Sequence, residues 1–159
     1  SVDIGSNGIL FFTAPATDFS ETELEFTGTH GESIAAFWDD LNPASSGDVY
    51  YQDYGDAFGV FYDEVPEFAH STTNTFSTVF FDDGTILQSW NGMDADDGLV
   101  GWSCGTGVAG AVDLSEELSD LSATDRYIGD GSEDSVYELF YSLNPMDLDG
   151  EIIWYAGAL

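Results

Sequence analysis

The sequence predicts an all-β fold: an antiparallel, jelly-roll-like β-sandwich of about ten short strands with at most one short peripheral helix. Three observations predict it. Apolar residues fall in short runs or alternate with polar ones, and helical spacing is scarce. Turn signals such as Asn7-Gly8 and Asp82-Asp83-Gly84 punctuate those runs at sandwich intervals. Hydrophobic residues make up 43% and aromatics 15% of 159 residues, enough to build a core for one domain.

Val2–Ile4 and Gly8–Phe12 read as two strands around Asn7-Gly8, a strong hairpin dipeptide. Between Thr13 and His30 the pattern loosens, with Leu24-Glu25-Phe26 alternating like a half-buried strand. Ile34–Trp38 is an apolar run that meets Asp39 and Asp40, and Leu41-Asn42-Pro43 then breaks the strand. Trp38 is expected to anchor the core, and the two aspartates to cap the turn through Asx hydrogen bonds. Val49–Gln52 and Phe58–Val65 follow, the latter ended by Pro66. Thr75–Phe81 and Thr85–Trp90 flank Asp82-Asp83-Gly84, whose Asp-Gly supplies the positive φ of a hairpin turn.

Leu99–Ser103 is a further strand, and Gly105–Gly110 is too glycine-rich for anything but loop or close backbone approach. Asp113–Leu121 is the one helical candidate, with Leu114, Leu118 and Leu121 at i, i+4 and i+7. Asp125–Asp134 reads as a surface loop. Val136–Ser142 and Glu151–Ala156 are the last two strands.

Charge sets the partners. Thirty-one acidic residues face a single basic one, Arg126, for a formal net charge of −30. Such a surface repels nucleic acid and anionic membranes, which need Lys and Arg to displace counterions. It also repels itself, so high salt, bound divalent cations or a covering partner would relieve it. Arg126, alone among carboxylates, is expected to pin its loop through a bidentate ion pair. No apolar run is long enough for a membrane-spanning helix, so membrane insertion is not expected. Ser1 is compatible with a mature start after cleavage, so the lack of a visible signal peptide does not assign the cytoplasm. No N-x-S/T sequon occurs.

The chemistry-bearing patterns are sparse. Gly101-Trp102-Ser103-Cys104-Gly105 fits G-x-S-x-G, but a nucleophile elbow needs a helix after the serine, and glycine-rich coil follows instead. Both histidines, His30 and His70, precede Ser103 and sit in polar turns, where solvated rings are expected. The lone Cys104 allows neither an intramolecular disulfide nor a zinc site. The expectation is therefore a non-catalytic protein. Ca2+ is the candidate cofactor: Asp94, Asp96 and Asp97 precede Gly98, and Asp147 and Asp149 precede Gly150. Hard cations want several oxygens within a tight loop, although neither loop has the spacing of an EF-hand.

The stretch FWDDLNP (37–43) followed by GDVYYQ (47–52) resembles the nidogen-like β-sandwich modules of secreted and surface proteins. The likeness continues in order. Val2–Phe12 resembles that family's strand, Ser-Asn-Gly turn, strand opening, and Phe58–Val65 its next strand. Asn74–Trp90 resembles the hairpin after it, and Gly98–Trp102 a closing glycine-flanked strand. The resemblance covers roughly the first two-thirds of the chain. It implies a sandwich fold, an extracellular or cell-surface location and a non-catalytic role, and it transfers no catalytic residue. It also implies a strand ahead of Val2, without which a sheet edge stands open.

Two functions are expected from this. The first is a structural or adhesive module that self-associates, as a fibre or filament, by exchange of terminal strands. Val2, Ile4, Ile152, Ile153 and Trp154 would carry that assembly with copies of itself or other surface proteins. The second is a calcium-assisted module of a larger secreted protein that binds carbohydrate or protein. Tyr50, Tyr51, Tyr54 and Trp90 would be its aromatic platform.

Overall fold

The structure, a computed structural model, describes residues 1–107, 111–113, 126–128 and 133–156, with 111–113, 126–128 and residue 156 described by their backbone alone. In chain order the strands are β1 (Asp3–Ile4), β2 (Ile9–Phe11), β3 (Ser33–Trp38), β4 (Asp48–Asp53), β5 (Ala57–Val65) and β6 (Asn74–Phe81). They continue with β7 (Ile86–Met93), β8 (Gly98–Ser103), β9 (Ala111–Asp113), β10 (Arg126–Ile128), β11 (Ser135–Phe140) and β12 (Ile152–Ala156).

They form two sheets among the described residues, in the orders β1-β2-β3-β8-β11-β9 and β10-β12-β7-β6-β5-β4. In each sheet five strands pair antiparallel, as the sequence predicts for a sandwich. One short strand is added in parallel at an edge, β9 on β11 and β10 on β12. The stretch 125–134, expected to be loop, therefore contains strand β10. Residues 114–121 of the expected helix lie outside the described residues, and Asp113 closes strand β9. The last two long strands do not pair with each other: β11 lies in the first sheet and β12 in the second.

The main core fills the space between the sheets. Leu10, Ile34, Ala36, Val100, Trp102, Val136 and Phe140 from one side meet Val60, Tyr62, Phe76, Ile86, Trp90, Ile153 and Tyr155 from the other. Alternation does this sorting in the second sheet. In β7, Ile86, Gln88 and Trp90 point inward and are buried, while Leu87 and Ser89 are half-exposed. The first sheet also has a covered outer face. Ile9, Phe11, Ala35, Trp38, Leu99 and Tyr137 pack there against Phe26. Phe26 belongs to a π-helical turn, Glu25–Thr29, where alternation predicted a strand. The turn buries Phe26 and leaves Leu24 exposed: residues two apart share a face in a strand but lie on opposite sides of a helical turn.

With both faces covered, β3 buries all six residues, which is why its sequence is a continuous apolar run. Its ladder with β8 is irregular between Ala35 and Trp38. There the Ala36 and Phe37 N–H groups both donate to Gly8 O, at 2.9 and 3.3 Å. Gly8 has φ +79°, and a Cβ on it would lie 1.7 Å from Phe37 O, so no larger residue fits. The carbonyls of Ala35 and Ala36 accept from the opposite sheet: Gln88 Nε2 to the first and Trp90 Nε1 to the second, each at 2.8 Å. These bonds tie the two layers through the middle of the core.

Candidate functional site

Two places combine accessible geometry with unusual chemistry. The first is the acidic end of the sandwich, where three connections meet. β3 ends at Trp38 and hands the chain to Asp39. The segment after β5 runs antiparallel to it through a bridge between Leu41 and Glu67. Phe68 N donates to Asp40 O at 2.6 Å, and Asn42 N to Pro66 O at 2.8 Å. Asp97 arrives from the third side, immediately before β8. Its successor Gly98 has φ +140°, and a Cβ there would meet the Phe37 ring at 2.6 Å. These constraints bring carboxylate oxygens of Asp39, Glu67 and Asp97 within 4.8 Å of one another.

Asp39 is buried, with 7% of its surface exposed, whereas Glu67 is half-buried and Asp97 exposed. Asp39 Oδ1 accepts the Asp40 N–H at 2.6 Å, and its Oδ2 has no partner. Burial pushes the Asp39 carboxyl from 3.8 up to about 7, and the negative charges of Glu21, Glu67 and Asp97 add to the rise. Burial likewise raises Glu21 nearby, helped by Asp97, Asp18 and Asp40. Thr72 Oγ1 donates to Glu67 Oε2 at 2.6 Å, and His70 Nδ1 lies 3.8 Å from the same oxygen.

In the loops expected to hold calcium, two carboxylates accept backbone hydrogen bonds. Asp94 Oδ2 accepts the Thr73 N–H at 3.0 Å, and Asp149 Oδ1 accepts the N–H groups of Gly92 and Met93 at 2.6 and 3.1 Å. Asp96 and Asp147 are exposed, and neither joins a cluster of potential ligands among the described residues. Of the five expected ligands only Asp97 belongs to one. Its partners Asp39 and Glu67 stand 58 and 30 residues upstream, a separation no loop pattern displays. The sequence-based expectation for Asp39 and Asp40 is only a turn-capping role; the signal that could have found the cluster is their place at the end of a buried apolar run.

The second place is the outer face of the second sheet near its β4 edge. The registers place Tyr50, Phe61, Ser77 and Ser89 side by side across four strands. The Tyr50 and Phe61 rings stack, with centroids 5.1 Å apart and planes 17° from parallel. Ser77 and Ser89 share a hydrogen bond of 2.8 Å between their hydroxyls. An open cleft of about 250 Å³ lies here, walled also by Asp63, Thr75 and Asn91. Tyr51 and Tyr54 are exposed as expected, but Trp90 is 1% exposed and belongs to the core, because its indole faces inward and donates to Ala36 O.

Other expected residues are placed as follows. Trp38 is fully buried, as a core anchor should be. Arg126 occupies β10 in register with Trp154, and its side chain lies outside the described residues. Val2 and Ile4 pack against the main core of their own chain. Ile152, Ile153 and Trp154 belong to a strand whose neighbours β7 and β10 are in the same chain, so β12 is an interior strand and not a free donor. His30, expected in solvent, is 5% exposed and lies against the Phe11 and Trp38 rings, its Nε2 3.3 Å from Asp18 Oδ2. The Ser103 hydroxyl is buried, 2.6 Å from Ser135 Oγ, and accepts the Gly105 N–H at 3.0 Å.

Fold and sites define an all-β sandwich with an acidic end and an aromatic, hydroxyl-lined outer face. No helix among the described residues is long and apolar enough to cross a membrane. Compared with known proteins, the chain matches no family model, no curated protein and no solved structure.

Proposed function

We propose that this chain is a non-catalytic, extracellular or cell-surface adhesive module that binds neutral carbohydrate on the outer face of its second sheet. The observation that carries this reading is the Tyr50–Phe61 stack beside the serine pair, at the mouth of an open cleft. A sugar ring offers an apolar C–H face and a rim of hydroxyls. The Tyr50 ring suits the former, and Ser77, Ser89, Asn91 and Asp63 suit the latter. A net charge of −30 disfavours sulfated or sialylated chains, so the ligand class is uncharged. The ordered likeness of Val2–Trp102 to nidogen-like modules supports the extracellular setting.

The test is a glycan array run with wild-type protein and with Tyr50→Ala. Binding confined to neutral glycans, and reduced at least about tenfold by the substitution, is expected. Silence on every neutral glycan would overturn the reading.

Assembly into a fibre is a second reading, and one observation favours it. β1 ends its sheet, and among the described residues no strand pairs with its outer edge. The partner strand would come from another copy or another surface protein. Negative-stain microscopy decides it: filaments with an axial repeat support it, and single particles at all concentrations count against it.

A further inference from the structure

We infer that Asp39, Glu67 and Asp97 form a site for one hard divalent cation of the calcium type at the acidic end of the sandwich. Three carboxylates lie within 4.8 Å of one another on three separate connections. Acidic residues crowd together elsewhere on such a chain without meaning. The independent observation concerns Asp39: the carboxyl group of this 93% buried residue belongs to the cluster, and its Oδ2 has no hydrogen-bond partner. An ionised oxygen in that position leaves a large desolvation penalty uncompensated. Either a proton or a cation answers it. The chain has no lysine at all, and its single arginine belongs to β10 on the edge of the second sheet.

The donor set selects the ion. Every ligand is a carboxylate oxygen, with neither cysteine nor imidazole among the three, which suits a hard cation over zinc or copper. Exposed Asp97 leaves one side open to solvent, so water would complete the coordination. Calcium tolerates that mixed and irregular shell better than magnesium, which demands a near-ideal octahedron. The framework is already set. The Leu41–Glu67 bridge and the Phe68-to-Asp40 bond fix two of the connections, and the Thr72 hydroxyl orients Glu67. Gly98 fixes the third, because its backbone conformation and tight packing admit no side chain. A cation here would join β3, β5 and β8, and so lock both sheets at one end.

The test uses the whole chain, stripped of metal and titrated with calcium chloride alone. A pH near 8 keeps Asp39 ionised, since its carboxyl titrates at about 7. Sodium chloride at about 1 M shortens the Debye length to about 3 Å and suppresses diffuse counterion binding. Calorimetry is expected to show saturable binding of one equivalent, with magnesium a weaker competitor. Asp39→Asn and Glu67→Gln should each weaken it at least about tenfold, whereas Asp147→Asn, outside the triad, should not change it. Circular dichroism confirms that each variant is folded, and Glu67→Gln, at a half-buried position, guards against loss of the fold in the other. Calcium should also raise the melting temperature of wild type but not of Asp39→Asn. No saturable site in wild type, or a site that both substitutions leave intact, would overturn the inference.

Discussion

β3 and β4 are both six-residue strands rich in aromatic and aliphatic side chains, yet β3 buries every residue and β4 fully buries none. Composition separates them only in part, since β4 carries two aspartates and a glutamine where β3 has no charge; position does the rest. β3 is hydrogen-bonded on both sides, by β2 and β8, and covered on both faces by the opposite sheet and by the π turn. β4 has one neighbour, β5, and ends its sheet. Asp48 and Asp53 at its two ends protect that edge with charge. The contrast divides the molecule into a pole that holds the fold and a pole that meets the surroundings. Asp39 stands at the junction, one residue past the buried end of β3.

The sharpest way to break this comparison is to truncate the buried pole. Trp38→Ala removes a fully buried indole that lies against Phe26, His30 and the outer face of the first sheet. A loss of about 3–5 kcal/mol in urea unfolding is expected. A loss below about 1 kcal/mol would mean that β3 is not the centre of stability.

The second effect is pH dependence at the junction. The folded Asp39 carboxyl titrates at about 7, against 3.8 for the ordinary group. Folding therefore favours its protonated form. The associated stability is fully present below about pH 4 and is lost as pH rises through about 7. Over that window the calcium-free protein should lose about 4 kcal/mol at most from this group. The measurement is the difference between wild type and Asp39→Asn in stability from pH 4 to 8, with metal removed. The wild-type curve should fall relative to the variant, and parallel curves would show that Asp39 ionises normally. Saturating calcium should flatten the difference, because the cation favours the carboxylate.

A third and smaller effect tests how the two layers are tied. Trp90→Phe keeps an aromatic ring but deletes the donor to Ala36 O, 54 residues away. A buried carbonyl left without its partner should lower stability by about 1–3 kcal/mol, read as a shift in the urea midpoint with an unchanged slope. An unchanged midpoint would mean that another donor reaches Ala36.

How far the sequence showed all this depends on the range of the interaction. The apolar run of β3 and the Asp83-Gly84 hairpin were legible because they are local. In the latter, Thr85 N donates to Asp83 Oδ1 at 2.9 Å, across the turn itself. The π turn was misread as strand because three residues are too few to tell a period of two from a helical turn that buries only one of its two apolar side chains. β10 was misread as loop because a three-residue parallel strand at a sheet edge has no pattern of its own. Trp90 is expected as one member of an exposed aromatic platform, yet it is buried. The bond that draws it inward depends on Ala36, in the other sheet. The acidic triad was the least legible, since its members come from three connections and only the fold brings them together.

The smallest expected effect on stability is the most informative about function. Tyr50 is 48% exposed and rests on Phe61, its cross-strand partner in β5. Such a pair at a sheet edge contributes about 0.5–1 kcal/mol, so Tyr50→Ala should shift the urea midpoint only slightly. If β4 is the accessible pole, the same substitution should remove most glycan binding while the fold is retained. Tyr51→Ala serves as the control. Tyr51 is more exposed, at 65%, but it alternates to the opposite side of the strand, where its ring stacks on Phe58. Binding lost in Tyr50→Ala and kept in Tyr51→Ala would assign recognition to the outer face. Equal losses in both would place it at the strand edge, with the backbone of β4 and not the Tyr50 ring as the contact. A stability loss above about 2 kcal/mol in Tyr50→Ala would instead assign β4 to the core and remove the distinction between the two strands.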